Sequence, residues 1–164
     1  YISSTDNMRY RSKEQFERFI KYEGLKGVLA RHKERGLPEL GFREDYVRCA
    51  KALAIGGIAD GEDRLVGMPL ELLAEENPYV TQKSSLPVRL FWQGEPISDI
   101  QIRIFQSGEG AEESTVRTDA KGRTQIPLTS SGFYLLNAVH MLEVEQKNGA
   151  VWKSYWGSLS FTYQ

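Results

Sequence analysis

The two histidines are the side chains in this sequence best suited to bind a transition metal. A neutral imidazole is the commonest protein ligand for nickel, copper and zinc. His140 lies in a segment of alternating residues that predicts a β-strand, where it shares one face with Ala138 and Leu142. His32 lies much earlier in the chain, in a predicted helix. We therefore take His140 as the candidate metal ligand; the alternative is a hydrogen-bonded histidine on a half-buried strand.

Four large aromatic residues form a second candidate site. Trp152 and Trp156 are in phase on one face of a predicted strand, whereas Tyr155 points to the other face, and Trp92 lies on an earlier strand. Exposed rings of this kind bind sugars or peptides. The alternative, which is common in a small sandwich, is that these rings belong to the core or to contacts between domains.

The motifs of several enzyme classes are absent from the sequence. There is no Gly-x-Ser-x-Gly elbow, no glycine-rich phosphate loop and no paired-histidine motif with metal-ligand spacing. Asp60, Glu62 and Asp63 lack the remainder of an EF-hand calcium loop. Cys49 is the only cysteine, so no disulfide can form within the chain, and we expect it to be inert packing. Nothing assembles a nucleophile, a base and an oxyanion donor, and we expect a protein that is not an enzyme.

The composition is that of a folded protein without a strong charge bias. The chain has 164 residues, of which 40% are hydrophobic and 26% charged, and this balance argues against disorder. Its formal net charge of −1 gives no electrostatic reason to expect a nucleic-acid partner. No segment is long and apolar enough to span a bilayer, and no signal peptide is present within the chain.

Residues 1–64 carry helical signals. Ser12 is a predicted N-cap, Phe16 and Ile20 begin an apolar stripe, and Gly24 ends or bends this helix. Helical spacing resumes after it and stops at Gly36, just before Pro38. A third helix is predicted over 42–55, with an apolar stripe of Phe42, Tyr46, Cys49, Ala50 and Leu53. We therefore predict a helical segment over residues 1–64.

Residues 65–164 change to the period of β-strands. Turn signals recur about every 8–14 residues, among them those around residues 107–110 and 147–149. This spacing favours an antiparallel, Ig-like β-sandwich. The predicted strands are 69–74, 86–92, 100–105, 115–118, 123–128, 133–145 and 151–163. Between two of them, Asp119 and Gly122 predict a tight turn, and the strands on either side of that turn are expected to pair as a hairpin.

Three stretches resemble a known family. They are Leu86-Pro-Val-Arg-Leu-Phe-Trp-Gln-Gly-Glu-Pro-Ile, Val116-Arg-Thr-Asp-Ala-Lys-Gly-Arg and Gly132-Phe-Tyr-Leu-Leu-Asn-Ala-Val-His-Met. They resemble the prealbumin-like sandwich of carboxypeptidase regulatory-like domains. More closely, they resemble a family of mostly uncharacterised periplasmic proteins grouped with the substrate-specific component of nickel uptake transporters. The likeness extends upstream to Gln15-Phe-Glu-Arg-Phe-Ile-Lys-Tyr-Glu-Gly-Leu and downstream to Trp152-Lys-Ser-Tyr-Trp-Gly-Ser-Leu-Ser-Phe.

This resemblance implies a place and a task for the protein. It implies an exported, periplasmic protein that captures a divalent transition metal, nickel above all, for a membrane transporter component. Members of the family begin with a signal peptide and a further β-rich domain, whose first mature residues often include a histidine. The chain starts at Tyr1 without these parts, so we expect an N-terminal half of the same protein as a partner of this chain. A site that spans both halves would be incomplete here.

Two other functions stay open at this point. Prealbumin-like sandwiches also serve as structural or protein-interaction modules in cell-envelope proteins. A carbohydrate-binding module would use Trp152 and Trp156. A fold-level likeness is weak support for any of the three functions, because one fold hosts many.

Overall fold

Two short helices lie near the start of the chain. The structure is a computed structural model that describes residues 1–57, 59–107, 113–145 and 149–163. Helix α1 spans Lys13–Tyr22 and helix α2 spans Val28–Glu34. The Ser12 side chain accepts a hydrogen bond from the Gln15 backbone N–H at 3.2 Å, which caps α1 as predicted. Gly24, with φ of 61°, ends α1, since Leu25 N–H bonds back to the Ile20 carbonyl.

Ten strands within the described residues form two sheets. Six of them make the first sheet, in the order β1, β2, β10, β9, β6, β7. Their bounds are β1 Asp6–Arg9, β2 Arg43–Ala52, β6 Gln101–Gln106, β7 Glu113–Arg117, β9 Gly132–Glu143 and β10 Ala150–Tyr163. The other four make the second sheet, where β4 pairs with β3, β5 and β8. Their bounds are β3 Leu70–Ala74, β4 Ser85–Trp92, β5 Glu95–Pro96 and β8 Arg123–Pro127.

The main core lies between the two sheets. Alternate residues of each strand point inward, as the period of two in the sequence predicts. Ile102 and Ile104 of β6, for example, are buried, and Leu136 and Ala138 of β9 lie opposite them. Fifteen buried residues, all of them apolar except for the Tyr134 hydroxyl, make up this cluster. The mainly β sandwich predicted for the chain is therefore confirmed.

A second core covers the outer face of the six-stranded sheet. Helices α1 and α2 bury Phe16, Ile20 and Val28 against this face, where they meet Trp152 and Met141. Tyr10 and Phe42 complete the same cluster. The molecule therefore has three layers: helices, a six-stranded sheet and a four-stranded sheet. A residue on β9 or β10 faces either the sandwich core or the helices, according to its position in the alternation.

The helix predicted over 42–55 is wrong, because Arg43–Ala52 forms strand β2. This strand pairs antiparallel with β1 and parallel with β10. Its two faces are both covered: Glu44 lies under the helices, while Val47 and Cys49 pack against Met68 on the other side. When both faces are buried, alternation is lost from the sequence, and the remaining apolar spacing is compatible with a helix.

The hairpin predicted around Asp119 is also wrong, although its turn is correct. Asp119 accepts hydrogen bonds from the backbone N–H groups of Lys121 and Arg123, each at 2.8 Å, and Gly122 has φ of 73°. The flanking strands lie in different sheets, since β7 pairs with β6 and β8 pairs with β4. The turn therefore links the two layers.

The first sheet is continuous across the predicted division between residues 64 and 65. Strand β2 precedes this point in sequence, yet it pairs with β10 from Arg43 to Ala52. Residues 1–64 thus contribute two strands, besides the two helices, to the same body as the sandwich. The turns predicted around Gly108–Gly110 and Lys147–Asn148 lie outside the described residues.

Candidate functional site

His140 lies on strand β9 at one end of the sandwich. It pairs in register with Tyr155 of β10, and both side chains face inward, toward the second sheet. The Trp92 ring, from the last residue of β4, lies in a T-shaped arrangement with the imidazole, with 4.9 Å between ring centroids. Trp92 also contacts Tyr155, at 4.6 Å. His140 is half-buried in this aromatic corner, where the fully enclosed core ends.

The environment of the His140 imidazole favours its neutral form and leaves its nitrogens without protein partners among the described residues. Burial lowers the pKa of His140 below its usual value of 6.5, because the charged form is poorly solvated there. Within the described residues, neither ring nitrogen has a hydrogen-bond partner. A metal ion could therefore bind without displacing a proton or breaking a protein hydrogen bond.

His32 is in the opposite situation. The Trp152 indole Nε1–H donates to its Nδ1 at 3.0 Å, so the ring proton lies on Nε2, which donates to the Pro38 carbonyl at 3.0 Å. Phe16 and Phe42 flank the ring at 4.9 and 4.6 Å. Both nitrogens of this buried imidazole are occupied, and His32 is a structural residue of the helical core.

The aromatic residues separate by strand face, as the sequence predicts. Trp152 is only 2% exposed beneath the helices, and Trp156 stacks on Phe19 of α1 at 5.8 Å. Tyr155 and Trp92 lie on the opposite face, beside His140. Trp152 and Trp156 therefore do not form an open platform that a sugar could reach in this conformation.

A buried carboxyl under the helices was missed by the sequence analysis. Glu44 of β2 is 1% exposed and accepts hydrogen bonds from the hydroxyls of Tyr10 and Ser154. Trp156 Nε1–H in turn donates to Ser154 Oγ at 3.0 Å. Burial is the main cause that raises the pKa of Glu44, and these hydroxyls oppose the rise. The sequence predicts a helix over 42–55, and Glu44 does not belong to the apolar stripe of that helix, so no signal indicated its burial.

A cluster of ion pairs ties the loop before β3 to the sheet. Lys51 Nζ lies 2.9 Å from Asp63 and 3.2 Å from Glu71, and all three side chains are nearly inaccessible. Glu71 also accepts the backbone N–H groups of Val66, at 2.8 Å, and of Gly67 and Met68. These carboxylates hold the loop in place, and Asp63 is committed to Lys51 rather than open to a calcium ion.

Clustered metal ligands are absent from the part of the chain that the structure describes. There, no group of three or more histidine, cysteine, aspartate or glutamate side chains could hold an ion. Cys49 is fully buried, and burial raises the pKa of its thiol, so it is inert packing as expected. Each helix within the described ranges is also too short or too polar to cross a membrane.

The structure defines a mainly β, two-sheet sandwich with a helical layer on one sheet and a half-buried imidazole at one end. Residues 10–142 match the family described as a domain of unknown function, DUF4198, and the chain belongs to that family. The match includes both helices, His32, Glu44 and His140. The expectation of a largely uncharacterised family is thereby confirmed. No curated protein and no solved structure matches the chain significantly.

Proposed function

We propose that this chain is a non-catalytic binding module of an exported, periplasmic protein that captures a transition metal for a membrane uptake transporter. Nickel is the favoured ion, because of the resemblance to the nickel-associated family. The observation that carries the proposal is the contrast between the two imidazoles. His32 uses both nitrogens in the core, whereas those of His140 are free within the described residues.

The aromatic corner supplies the environment that a weak, exchangeable site needs. The Trp92 ring packs against the imidazole, and Tyr155, the cross-strand neighbour of His140, packs against Trp92, so these rings cover part of the imidazole. His140 alone provides one ligand, so the other coordination positions are filled by water, by a second molecule or by parts of the protein beyond the described residues. Partial coordination suits a carrier, which must release its ion to a transporter.

Calorimetric titration with nickel, cobalt, copper and zinc tests this proposal. The chain should bind at least one of these ions with a dissociation constant of ~1 mM or tighter, equivalent to ~4 kcal/mol of binding free energy. His140→Gln should abolish that binding. Lys21→Gln, on the far side of the helical layer, is a control that should leave it unchanged. Equal binding by the wild-type chain and His140→Gln, or no binding at all, would refute the assignment.

Failure of the titration would favour the second function, a docking module of the cell envelope. Such a module should show no metal dependence and should form a stable complex with a periplasmic protein partner. That complex should survive addition of a chelator.

A further inference from the structure

Strand β7 is an outer strand of the six-stranded sheet, and its far side has no strand partner among the described residues. It pairs with β6 along one side only, from Glu113 to Arg117. Glu113, Ser114 and Thr115 are exposed, while Val116 and Arg117 are half-buried. A strand of this kind offers a row of unpaired backbone groups to another extended segment.

The alternation along β7 decides which backbone groups point away from the sheet. Thr118 N–H, just after the strand, donates to the Ile100 carbonyl at 3.0 Å and so faces β6. In an antiparallel pair the backbone groups of successive residues point to opposite sides. The N–H and C=O groups of Glu113, Thr115 and Arg117 therefore point outward.

The sequence of β7 is complementary to itself when two copies run antiparallel. Outward residues face each other in such a pair, so Thr115 can lie opposite Thr115 of a second copy, with Glu113 opposite Arg117. Opposite charges and paired threonines are favourable cross-strand neighbours. On the other face, Ser114 would lie over Val116, which packs at the margin of the main core.

The charged side chains of β7 are already held in place. Glu113 accepts hydrogen bonds from Arg103 at 2.7 Å and from the Tyr22 hydroxyl at 3.1 Å, yet it stays 42% exposed. Arg117 donates to the Gly24 carbonyl at 2.6 Å and stays 28% exposed. Both side chains keep unused hydrogen-bonding capacity and have little conformational freedom left to lose on pairing.

Strand β1, at the opposite edge of the same sheet, does not match itself in this way. Tyr10 N–H faces β2, since it donates to the Phe42 carbonyl at 3.0 Å, and the outward residues of β1 are therefore Asn7 and Arg9. Asp6 faces β2, so it cannot lie opposite Arg9 of a second copy. The charges of β1 thus stay unmatched in every allowed antiparallel register.

The outer strands β3 and β8 of the second sheet are also poorly suited to pairing. Leu128 N–H faces β4, because it donates to the Ser84 carbonyl at 2.9 Å, so Pro127 of β8 is an outward position. Proline has no N–H to donate there. On the outer side of β3, the Ala74 N–H is already bonded to the Asp63 side chain at 2.9 Å.

We infer that β7 is a homodimerisation edge: two copies of the chain join antiparallel through Glu113–Arg117, and their six-stranded sheets become one. A foreign extended segment would meet the same backbone groups without the matched charges. Since so short a strand pair buries little area, the dimer is weak and reversible. The inference does not depend on His140 or on a metal.

Sedimentation of the full chain at rising concentration tests the inference. The wild type should pass reversibly from monomer to dimer without added metal. Thr115→Pro removes an outward N–H that bonds to no other described residue. It should weaken dimerisation about tenfold or more, because the symmetric pair loses two hydrogen bonds. Arg9→Pro makes the same change on the outward side of β1 and should leave dimerisation unchanged.

Cysteine cross-linking tests the register and does not depend on the proline variants. Thr115→Cys places two thiols directly opposite each other, where the Cα atoms of a hydrogen-bonded pair lie ~5.5 Å apart and a disulfide can form. In Ser114→Cys the two thiols are displaced along the strands and lie too far apart. Both positions are exposed and Cys49 is buried, so the two variants are matched. Mild oxidation should give a covalent dimer with Thr115→Cys and little with Ser114→Cys.

Three results would overturn the inference. One is dimerisation that Thr115→Pro leaves undiminished, and another is equal cross-linking of the two cysteine variants. The third is a wild-type chain that stays monomeric up to millimolar concentration, even if β7 then pairs with an extended segment of another protein. If the NMR spectrum of Thr115→Pro shows that this variant does not fold, the comparison of the cysteine variants decides alone.

Discussion

At the scale of single residues, burial decides what each titratable side chain can do. His140 is half-buried without a hydrogen-bond partner in the described chain, and this leaves a neutral nitrogen available. His32 is fully packed with both nitrogens used. The sequence places both histidines on predicted elements but cannot show which of them is occupied, because Trp152 lies 120 positions from His32 in the chain.

Glu44 gives a pH dependence that can be measured. Because burial raises its pKa, ionisation is easier in the unfolded chain, so Glu44 favours folding below its unfolded pKa. That contribution is lost as pH rises through the folded pKa. Glu44→Gln cannot ionise and retains a donor and an acceptor for the Tyr10 and Ser154 hydroxyls. The variant should therefore gain stability relative to the wild type as pH rises above the usual pKa of a glutamate.

Glu14 provides the control for Glu44, because its pKa is shifted in the opposite direction. Hydrogen bonds from its own backbone N–H and from Ser12 lower the pKa of Glu14 in the first turn of α1. The stability that it contributes is present above its unfolded pKa and is lost as pH falls through the folded pKa. Glu14→Gln should thus lose stability relative to the wild type as pH rises. Urea unfolding at several pH values measures both slopes, and parallel curves for Glu44→Gln and the wild type would contradict the account.

At the scale of elements, a buried ion pair fastens the end of α1 to the sheet. Arg103 of β6 donates to Glu23 at 2.8 Å and to Glu113 of β7, while its guanidinium stacks over the Tyr22 ring. Burial, followed by the charge of Glu113, raises the pKa of Glu23 to about 7, although Arg103 lies 2.8 Å away. The pair helps to orient the end of α1 on the outer face of the six-stranded sheet.

Removal of one member of this pair should cost more than removal of both. Arg103→Met leaves the Glu23 carboxyl buried without its cation and should destabilise the fold by about 3 kcal/mol. Glu23→Gln combined with Arg103→Met should recover much of that loss. Arg123→Met breaks the exposed pair with Glu75 and should cost under about 1 kcal/mol. Equal losses in the free energy of unfolding for Arg103→Met and Arg123→Met would show that the buried Arg103–Glu23 pair contributes no more to stability than the exposed pair.

Most elements could be predicted from the sequence, and each failure has a physical cause. Strands β4, β6, β9 and β10 bury one face in the sandwich, so their alternation survives in the sequence. Strand β2 buries Glu44 on one face and Val47 and Cys49 on the other, and it contains alanines that suit a helix, so its local spacing predicts a helix. The Asp119 turn was found from its local chemistry, but the sheets that it connects depend on contacts far along the chain.

At the scale of the whole molecule, the helical layer and the sandwich depend on each other. Strand β10 is covered by β2 along one edge and by both helices on its outer face. Without residues 1–64, Trp152 and Val151 would lose this cover, and the β10 edge would be open to pairing with another chain.

The isolated segment 65–164 should therefore fail to fold on its own. We expect poorly dispersed NMR spectra and tryptophan emission shifted to the red, whereas the full chain should unfold in one cooperative step. The full chain under identical conditions is the control. A well-dispersed spectrum from the isolated segment, with native stability, would show that residues 65–164 are an independent domain.

The central claim is that one of the two imidazoles is free to bind a transition metal. NMR spectra of the histidine ring nitrogens test it within a single sample, because His32 serves as the reference for His140. Stepwise addition of paramagnetic nickel should broaden the His140 ring signals first, while those of His32 persist and its Trp152 indole N–H signal stays in place. Equal broadening of both histidines, or none at His140 at millimolar nickel, would contradict the account.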